Sequence, residues 1–109
     1  MSETGLLERT RRLLEEPLLG EQDLDTKVCL LLEAEYLRRM GKYRRVDHSL
    51  TLKYEMSLED FLAQRVARKM AYTWDVEKDA MDWEMAVDGV KTMERKIQDL
   101  REYTRVQHR

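Results

Sequence analysis

The chain reads as an all-α protein: a small bundle of about four helices, the last of them long and heptad-patterned. Three observations carry that expectation. The 109 residues include only four glycines and one proline, too few for the turns of an all-β sandwich or barrel. Leu, Glu, Arg, Met and Lys, all good helix formers, are abundant. Apolar residues recur at three- and four-residue spacing rather than in alternation. The length suits one domain over residues 1–109, with an N-terminal helix and connector in 1–24 and a bundle core in 25–109.

A first helix is expected over residues 4–16, with Leu6, Leu7, Leu13 and Leu14 as its apolar stripe. Pro17 stops it, because its ring cannot continue the hydrogen-bond ladder. A short connector leads to a second helix that starts near Asp25 or Thr26 and reaches Tyr54. Its stripe is Cys29, Leu32, Tyr36, Met40, Tyr43, Leu50 and Tyr54. Asp47 and His48 interrupt that stripe, and Gly41 weakens the helix by about 1 kcal/mol relative to Ala. A bend or break between 41 and 49 is one reading of this segment; a continuous helix is the other.

The sharpest local signal is Met56-Ser57-Leu58-Glu59-Asp60-Phe61. Ser57 can accept from the Asp60 amide as a helix cap, and Met56 and Phe61 stand at the spacing of a hydrophobic staple. The third helix therefore starts at 57 and is expected to bury Leu58, Phe61, Leu62, Val66 and Met70, with Arg65, Arg68 and Lys69 outward. The fourth starts near Thr73 and runs almost to the C-terminus. One heptad column reads Val76, Trp83, Val90, Ile97, Thr104, and the other Asp79, Ala86, Met93, Leu100. A seam of that length suits an elongated bundle or a homodimer.

Charge is segregated along the chain. Residues 36–53 carry a net of +5 and residues 75–88 a net of −5, while the whole chain stands at −2. Such polarity clamps two helices of one chain or joins two chains as a first explanation. A surface for a charged partner is the second, and nucleic acid a distant third. The candidate partner-binding residues are Arg38, Arg39, Lys42 and Arg45 in the basic block, with Trp74, Asp75, Asp79, Asp82 and Trp83 around the acidic one. For Trp74, Trp83 and Tyr72 a place in the core competes with a place under a partner. The seven methionines fit either an adaptable groove or ordinary packing.

Catalytic readings find less support. Asp75, Asp79 and Asp82 fall at i, i+4 and i+7, and with Glu84 suggest a Mg²⁺- or Mn²⁺-dependent helical hydrolase as the runner-up. The Glu-x-x-His pairs of di-iron bundles are missing, since neither His48 nor His108 has a Glu three residues earlier. Arg44 and His48 share a helical face in the manner of a helical ribonuclease, but a lone histidine is more often structural. No Gly-rich phosphate loop or nucleophile motif is present. The basic block with Tyr36 and Tyr43 invites nucleic acid, yet both tyrosines lie on the apolar stripe and the pI is near 5.8. Cys29 is the only cysteine, expected as a buried, inert thiol. No catalytic residue, metal ligand or cofactor is assigned. The Met1-Ser-Glu-Thr start lacks a signal-peptide pattern, and the longest apolar run, Val28–Leu32, falls far short of a membrane span. A cytoplasmic protein with no membrane association is expected.

Certain runs carry a resemblance: Leu52-Lys53-Tyr54, Met56-Ser57-Leu58-Glu59, Tyr72-Thr73-Trp74-Asp75-Val76-Glu77 and Asp82-Trp83-Glu84-Met85-Ala86. Over about residues 33–100 the chain is similar to a family of small, uncharacterised archaeal and bacterial helical proteins, some encoded beside small toxin-like proteins. The resemblance implies an antitoxin-like or other partner-binding role, without implying catalysis. Taken with the heptad seam, it makes the expected reading a non-enzymatic interaction protein whose partner is a small toxin-like protein, a second copy of the chain, or both. It carries no active residues across.

Overall fold

Residues 7–16 and 23–107 are described in the computed structural model of the chain. They form five helices and no strand: α1 (Glu8–Leu14), α2 (Leu24–Tyr54), α3 (Leu58–Ala63), α4 (Val66–Lys69) and α5 (Trp74–Gln107). The start expected for the first helix at residue 4, its Leu6, the stop at Pro17 and the connector through residue 22 lie outside the described residues.

The start of α2 is set by Asp23, whose carboxylate accepts from the Thr26 amide at 2.8 Å, satisfying one of the orphan donors of a helix N-terminus. From there α2 runs unbroken for 31 residues, or about 46 Å at the α-helical rise. The break considered between 41 and 49 does not occur. Asp47, which interrupts the apolar stripe, keeps its place on the inward face because it has a polar partner there, the indole N–H of Trp83 at 2.7 Å. Glu55, with φ 55°, ends α2 in the left-handed conformation that commonly closes helices.

Against α2 lies α5, antiparallel, as the cross-helix ion pairs show. Lys53 meets Asp79, Arg44 meets Glu94 and Arg101 meets Glu33. The heptad columns of α5 face inward: Val76, Trp83, Ala86, Met93 and Ile97 are buried. That seam is occupied by the chain's own α2, so it is not a free surface for a homodimer. Two clusters fill the interface. Leu50, Phe61, Val76 and Trp83 pack at one end, with Val46, Tyr54, Met56 and Leu58 around them. Met40, Met93 and Ile97 pack further along, against Tyr36, Tyr43 and Val90. Toward the start of α2 the stripe is less covered than expected: Cys29 is half-buried and Leu32 exposed.

Residues 55–73 fold over the first cluster. Ser57 caps α3 as expected, its hydroxyl accepting from the Asp60 amide at 3.1 Å, and Phe61 is driven into the core at 1% exposure. The helix expected to continue through Met70 instead breaks at Arg65, whose φ of 51° is left-handed. The break reorients α4, so Val66 stays half-buried while Leu62 and Met70 are exposed. Ala71 and Tyr72 are left-handed too, and the Tyr72 amide donates to the Ala67 carbonyl at 2.8 Å, a bond that closes α4. The result is an elongated hairpin with a short helical cap. Its radius of gyration is 20.1 Å, where a compact chain of this length has about 13 Å.

Candidate partner-docking surface

The turn that ends α4 and the first four turns of α5 place five large apolar side chains in solvent. Met70 and Tyr72 project from the turn, and Trp74, Met81 and Met85 from α5. On a helix with 3.6 residues per turn, positions i, i+7 and i+11 share a face. Trp74, Met81 and Met85 accordingly form one stripe, on the side of α5 away from Val76, Trp83 and Ala86. Their exposures are 71%, 64% and 62%, whereas Trp83, fully buried, is 0% exposed. Sequence reasoning treated the two tryptophans alike. The helix separates them by nine residues, or 180°, and their roles divide with it.

Carboxylates flank this stripe on both sides. By helical phase Glu77, Glu84 and Asp88 run along one edge and Asp75 and Asp82 along the other. Among the described residues Asp75, Glu77, Glu84 and Asp88 make no ion pair. Asp82 is held by Lys78 from its own helix at 2.7 Å, and that bond raises the Lys78 pKa. Asp79 is not available as partner surface. It sits on the inward seam and accepts from Lys53 Nζ and the Tyr54 hydroxyl, both at 2.6 Å. Burial works against its ionisation, but those two hydrogen bonds outweigh it and hold the carboxyl below its ordinary pKa.

The basic block divides in the same way. Arg38 and Arg39 both bind Glu35, and their hydrogen bonds pull its pKa down to about 2. Arg44 reaches Glu94 at 3.3 Å. Lys42 and Arg45 have no ion pair among the described residues. Among the described residues Lys53–Asp79 is the one ion pair between the basic block and the acidic one, so the polarity of the sequence is mostly left on the surface rather than consumed in a clamp. A groove of about 400 Å³ lies where the two blocks approach, with Arg38, Arg39 and Lys42 along one side, Asp82 and Met85 along the other, and Tyr43, Val46 and Ala86 completing its lining.

The arrangement does not assemble a metal centre from Asp75, Asp79, Asp82 and Glu84. Among the described residues no three His, Cys, Asp or Glu side chains converge on one point. Tyr36 and Tyr43 are half-buried beside Met40 and Met93, which makes them packing residues rather than a stacking platform for bases. No helix among the described residues is long and apolar enough to cross a membrane.

Comparison of the chain with protein-family models, with curated proteins and with solved structures finds no match. The surface must therefore be read from its own chemistry. It is apolar and polarisable along the centre, with a Trp and two Met, and rimmed by five carboxylates of which only Asp82 has an ion-pair partner among the described residues. Methionine's flexible thioether and the broad faces of Trp and Tyr are what adaptable protein interfaces are built from. Met81 and Met85 were legible only as positions that fall outside both heptad columns.

Proposed function

We propose that the protein is a non-enzymatic interaction module that docks a basic, amphipathic protein segment on the outer face of α5. The observation that carries this reading is the Trp74–Met81–Met85 stripe, exposed on a continuous helix and edged by Asp75, Glu77, Glu84 and Asp88, which make no ion pair among the described residues. Large apolar side chains repeated in solvent along one helix face mark interaction surfaces more often than singly scattered ones do. A basic helix laid along the stripe would bury the three apolar anchors and meet Glu77, Glu84 and Asp88 at its rim. Charge of this kind raises encounter rate and specificity, and the apolar centre supplies affinity. A small toxin-like protein with a basic nucleic-acid groove has that chemistry. The antitoxin-like role implied by the resemblance to helical families fits the same surface.

Trp74 itself reports the event. In a titration with a Lys- and Leu-rich amphipathic helical peptide, the exposed indole is expected to shift its emission to the blue as it is covered. The Met81→Ser/Met85→Ser variant keeps every charge and is expected to bind at least about tenfold more weakly. Equal binding by that variant would reduce the interaction to bulk electrostatics and remove the support for a docking site.

A further inference from the structure

We infer that the groove between α2 and α5 is a binding site for a small amphipathic carboxylate, whose head meets Lys42 and whose straight hydrocarbon chain lies along Val46 and Ala86. The site does not rest on the docking of a basic segment to the outer stripe of α5, because its ligand carries the opposite charge. Met85 and Asp82 border both surfaces, and the cations that define this one belong to α2.

The two rims of the groove differ in how their charges are met. On α2, Arg38, Lys42 and Arg45 stand at i, i+4 and i+7 and share a face, with Arg39 beside them. Arg38 and Arg39 divide a single carboxylate, that of Glu35. Lys42 and Arg45 make no ion pair among the described residues. On α5 the carboxylates that face this rim are already held, Asp82 by Lys78 at 2.7 Å and Asp79 by Lys53 at 2.6 Å. Positive charge is therefore in excess on the α2 rim, while each carboxylate opposite has a cation of its own. A cleft with one sign of charge and apolar walls concentrates ions of the other sign.

The floor specifies the rest of the ligand. Tyr43 and Val46 are half-buried, Ala86 is buried and Met85 stands at the outer lip, so the surface between the rims is mostly hydrocarbon. The groove holds about 400 Å³, a volume in the range of small-molecule sites. A second hollow of about 330 Å³ shares Lys42, Val46 and Asp82 with it and reaches Ser49 and Leu50. Together they make a trough of about 18 Å along α2, from Arg38 to Leu50. A single extended chain follows such a trough, whereas an α-helix about 10–12 Å across would ride on its rims. Tyr43 is packed beside Met40 and Met93 and offers no open face to a nucleobase. The neighbouring arginines show the head group suited to this rim: Arg38 and Arg39 both direct their Nε–H groups to the Glu35 carboxylate, at 3.1 and 3.2 Å. The Lys42 ammonium, with three donors and no acceptor, is left for a carboxylate from outside.

The test uses the full chain and single-chain amphiphiles kept below their micelle concentration. By calorimetry decanoate is expected to bind once per chain, and in thermal unfolding to raise the melting temperature. Decyltrimethylammonium, equal in chain and opposite in head, should not displace it. Octanoate, two methylenes shorter, is expected to bind about tenfold more weakly. Lys42→Gln/Arg45→Gln breaks no ion pair among the described residues, so the ligand-free melting temperature should hold while decanoate binding weakens at least about tenfold. Lys42→Arg/Arg45→Lys keeps both charges and should keep the binding. Trp74→Ser, which tests the outer stripe of α5, should leave decanoate binding as it was, so the two surfaces fail or stand separately. Uptake of many decanoate molecules with no saturating step would overturn the inference, as would undiminished binding by the Lys42→Gln/Arg45→Gln chain or displacement by the cationic amphiphile. An acidic peptide or a single-stranded oligonucleotide that binds through Lys42 where decanoate does not would assign the groove to a macromolecule and overturn it too.

Discussion

The Trp83 indole donates to the Asp47 carboxylate at 2.7 Å, from the heptad seam of α5 to the one acidic position on the inward stripe of α2. The contact explains how a carboxylate can occupy a packing seam. It also shows why the helix does not break there, since a buried indole N–H left without an acceptor is costly. One helical turn along, the relationship is mirrored. Asp79, the acidic position on α5's seam, accepts from the Tyr54 hydroxyl of α2. Trp83 and Tyr54 stack at 5.8 Å between these two carboxylates, and Phe61 closes on both rings.

Removing the acceptor is therefore worse than removing a surface charge. Asp47→Ala leaves the indole N–H unsatisfied and is expected to destabilise the fold by about 1–3 kcal/mol. Asp47→Asn, which retains an acceptor oxygen, should recover most of that loss. Urea unfolding of the two variants decides it, with equal losses counting against the hydrogen bond as the cause.

The second carboxylate predicts how stability changes with pH. Burial, and then the hydrogen bond to Asp79, push the Tyr54 pKa up to about 12. The neutral phenol is thus favoured by folding. Its contribution is complete below the exposed-tyrosine value of about 10 and is lost as pH climbs from there through about 12. Asp79 has the opposite sign: its pKa is lowered, so its contribution holds above an ordinary carboxylate pKa and is lost as pH falls through the depressed value. Melting temperature should fall at both extremes, and Tyr54→Phe should flatten the alkaline limb. An unchanged alkaline limb would disconnect that bond from the loss.

Close packing gives the third prediction. Gly89→Ala is expected to cost about 1–2 kcal/mol, because displacing the Tyr43 ring outweighs the gain in helix propensity. Pairing it with Tyr43→Ala should remove most of the clash, so a double-mutant cycle in chemical denaturation must show strong coupling.

Much of this hairpin was legible in residue spacing. The heptad columns of α5 located Val76, Trp83, Ala86, Met93 and Ile97, and the box at Ser57 located the start of α3, because a cap and a 3.6-residue period are local properties. The break at Arg65 was not legible. It is made by a left-handed arginine with no glycine or proline to mark it, and tertiary packing of Phe61 and Val66 against the hairpin overrides the helical preference of that stretch. The exposed stripe of α5 was half legible. Charge pattern drew attention to Asp75, Asp79 and Asp82, but only the phase of the assembled helix turns Asp79 and Trp83 inward and leaves Met81 and Met85 outside.

That cap region carries unusual backbone. Arg65, Ala71 and Tyr72 all have positive φ without being glycine, and an L-residue there costs roughly 1–2 kcal/mol. Ala71→Gly is consequently expected to leave the fold intact and raise stability by about 1 kcal/mol in spite of glycine's greater freedom when unfolded. Ala71→Val should do the reverse, since a β-branched side chain tolerates that region least. Thermal unfolding of the pair measures both signs, and a loss on Ala71→Gly would contradict the left-handed turn.

The two tryptophans supply the last test, because one residue type occupies opposite faces of one helix. Trp83→Ala opens a cavity in the centre of the core and is expected to cost about 3–5 kcal/mol. Trp74→Ser removes a side chain that is 71% exposed and should change stability by no more than about 0.5 kcal/mol. If the outer stripe is a docking surface, Trp74→Ser must nonetheless weaken peptide binding by about tenfold or more, which corresponds to 1.4 kcal/mol. A side chain that contributes nothing to the fold and much to binding is one whose place is set by a partner. Should Trp74→Ser destabilise the isolated chain as Trp83→Ala does, Trp74 would be part of the core and the stripe would lose its largest anchor.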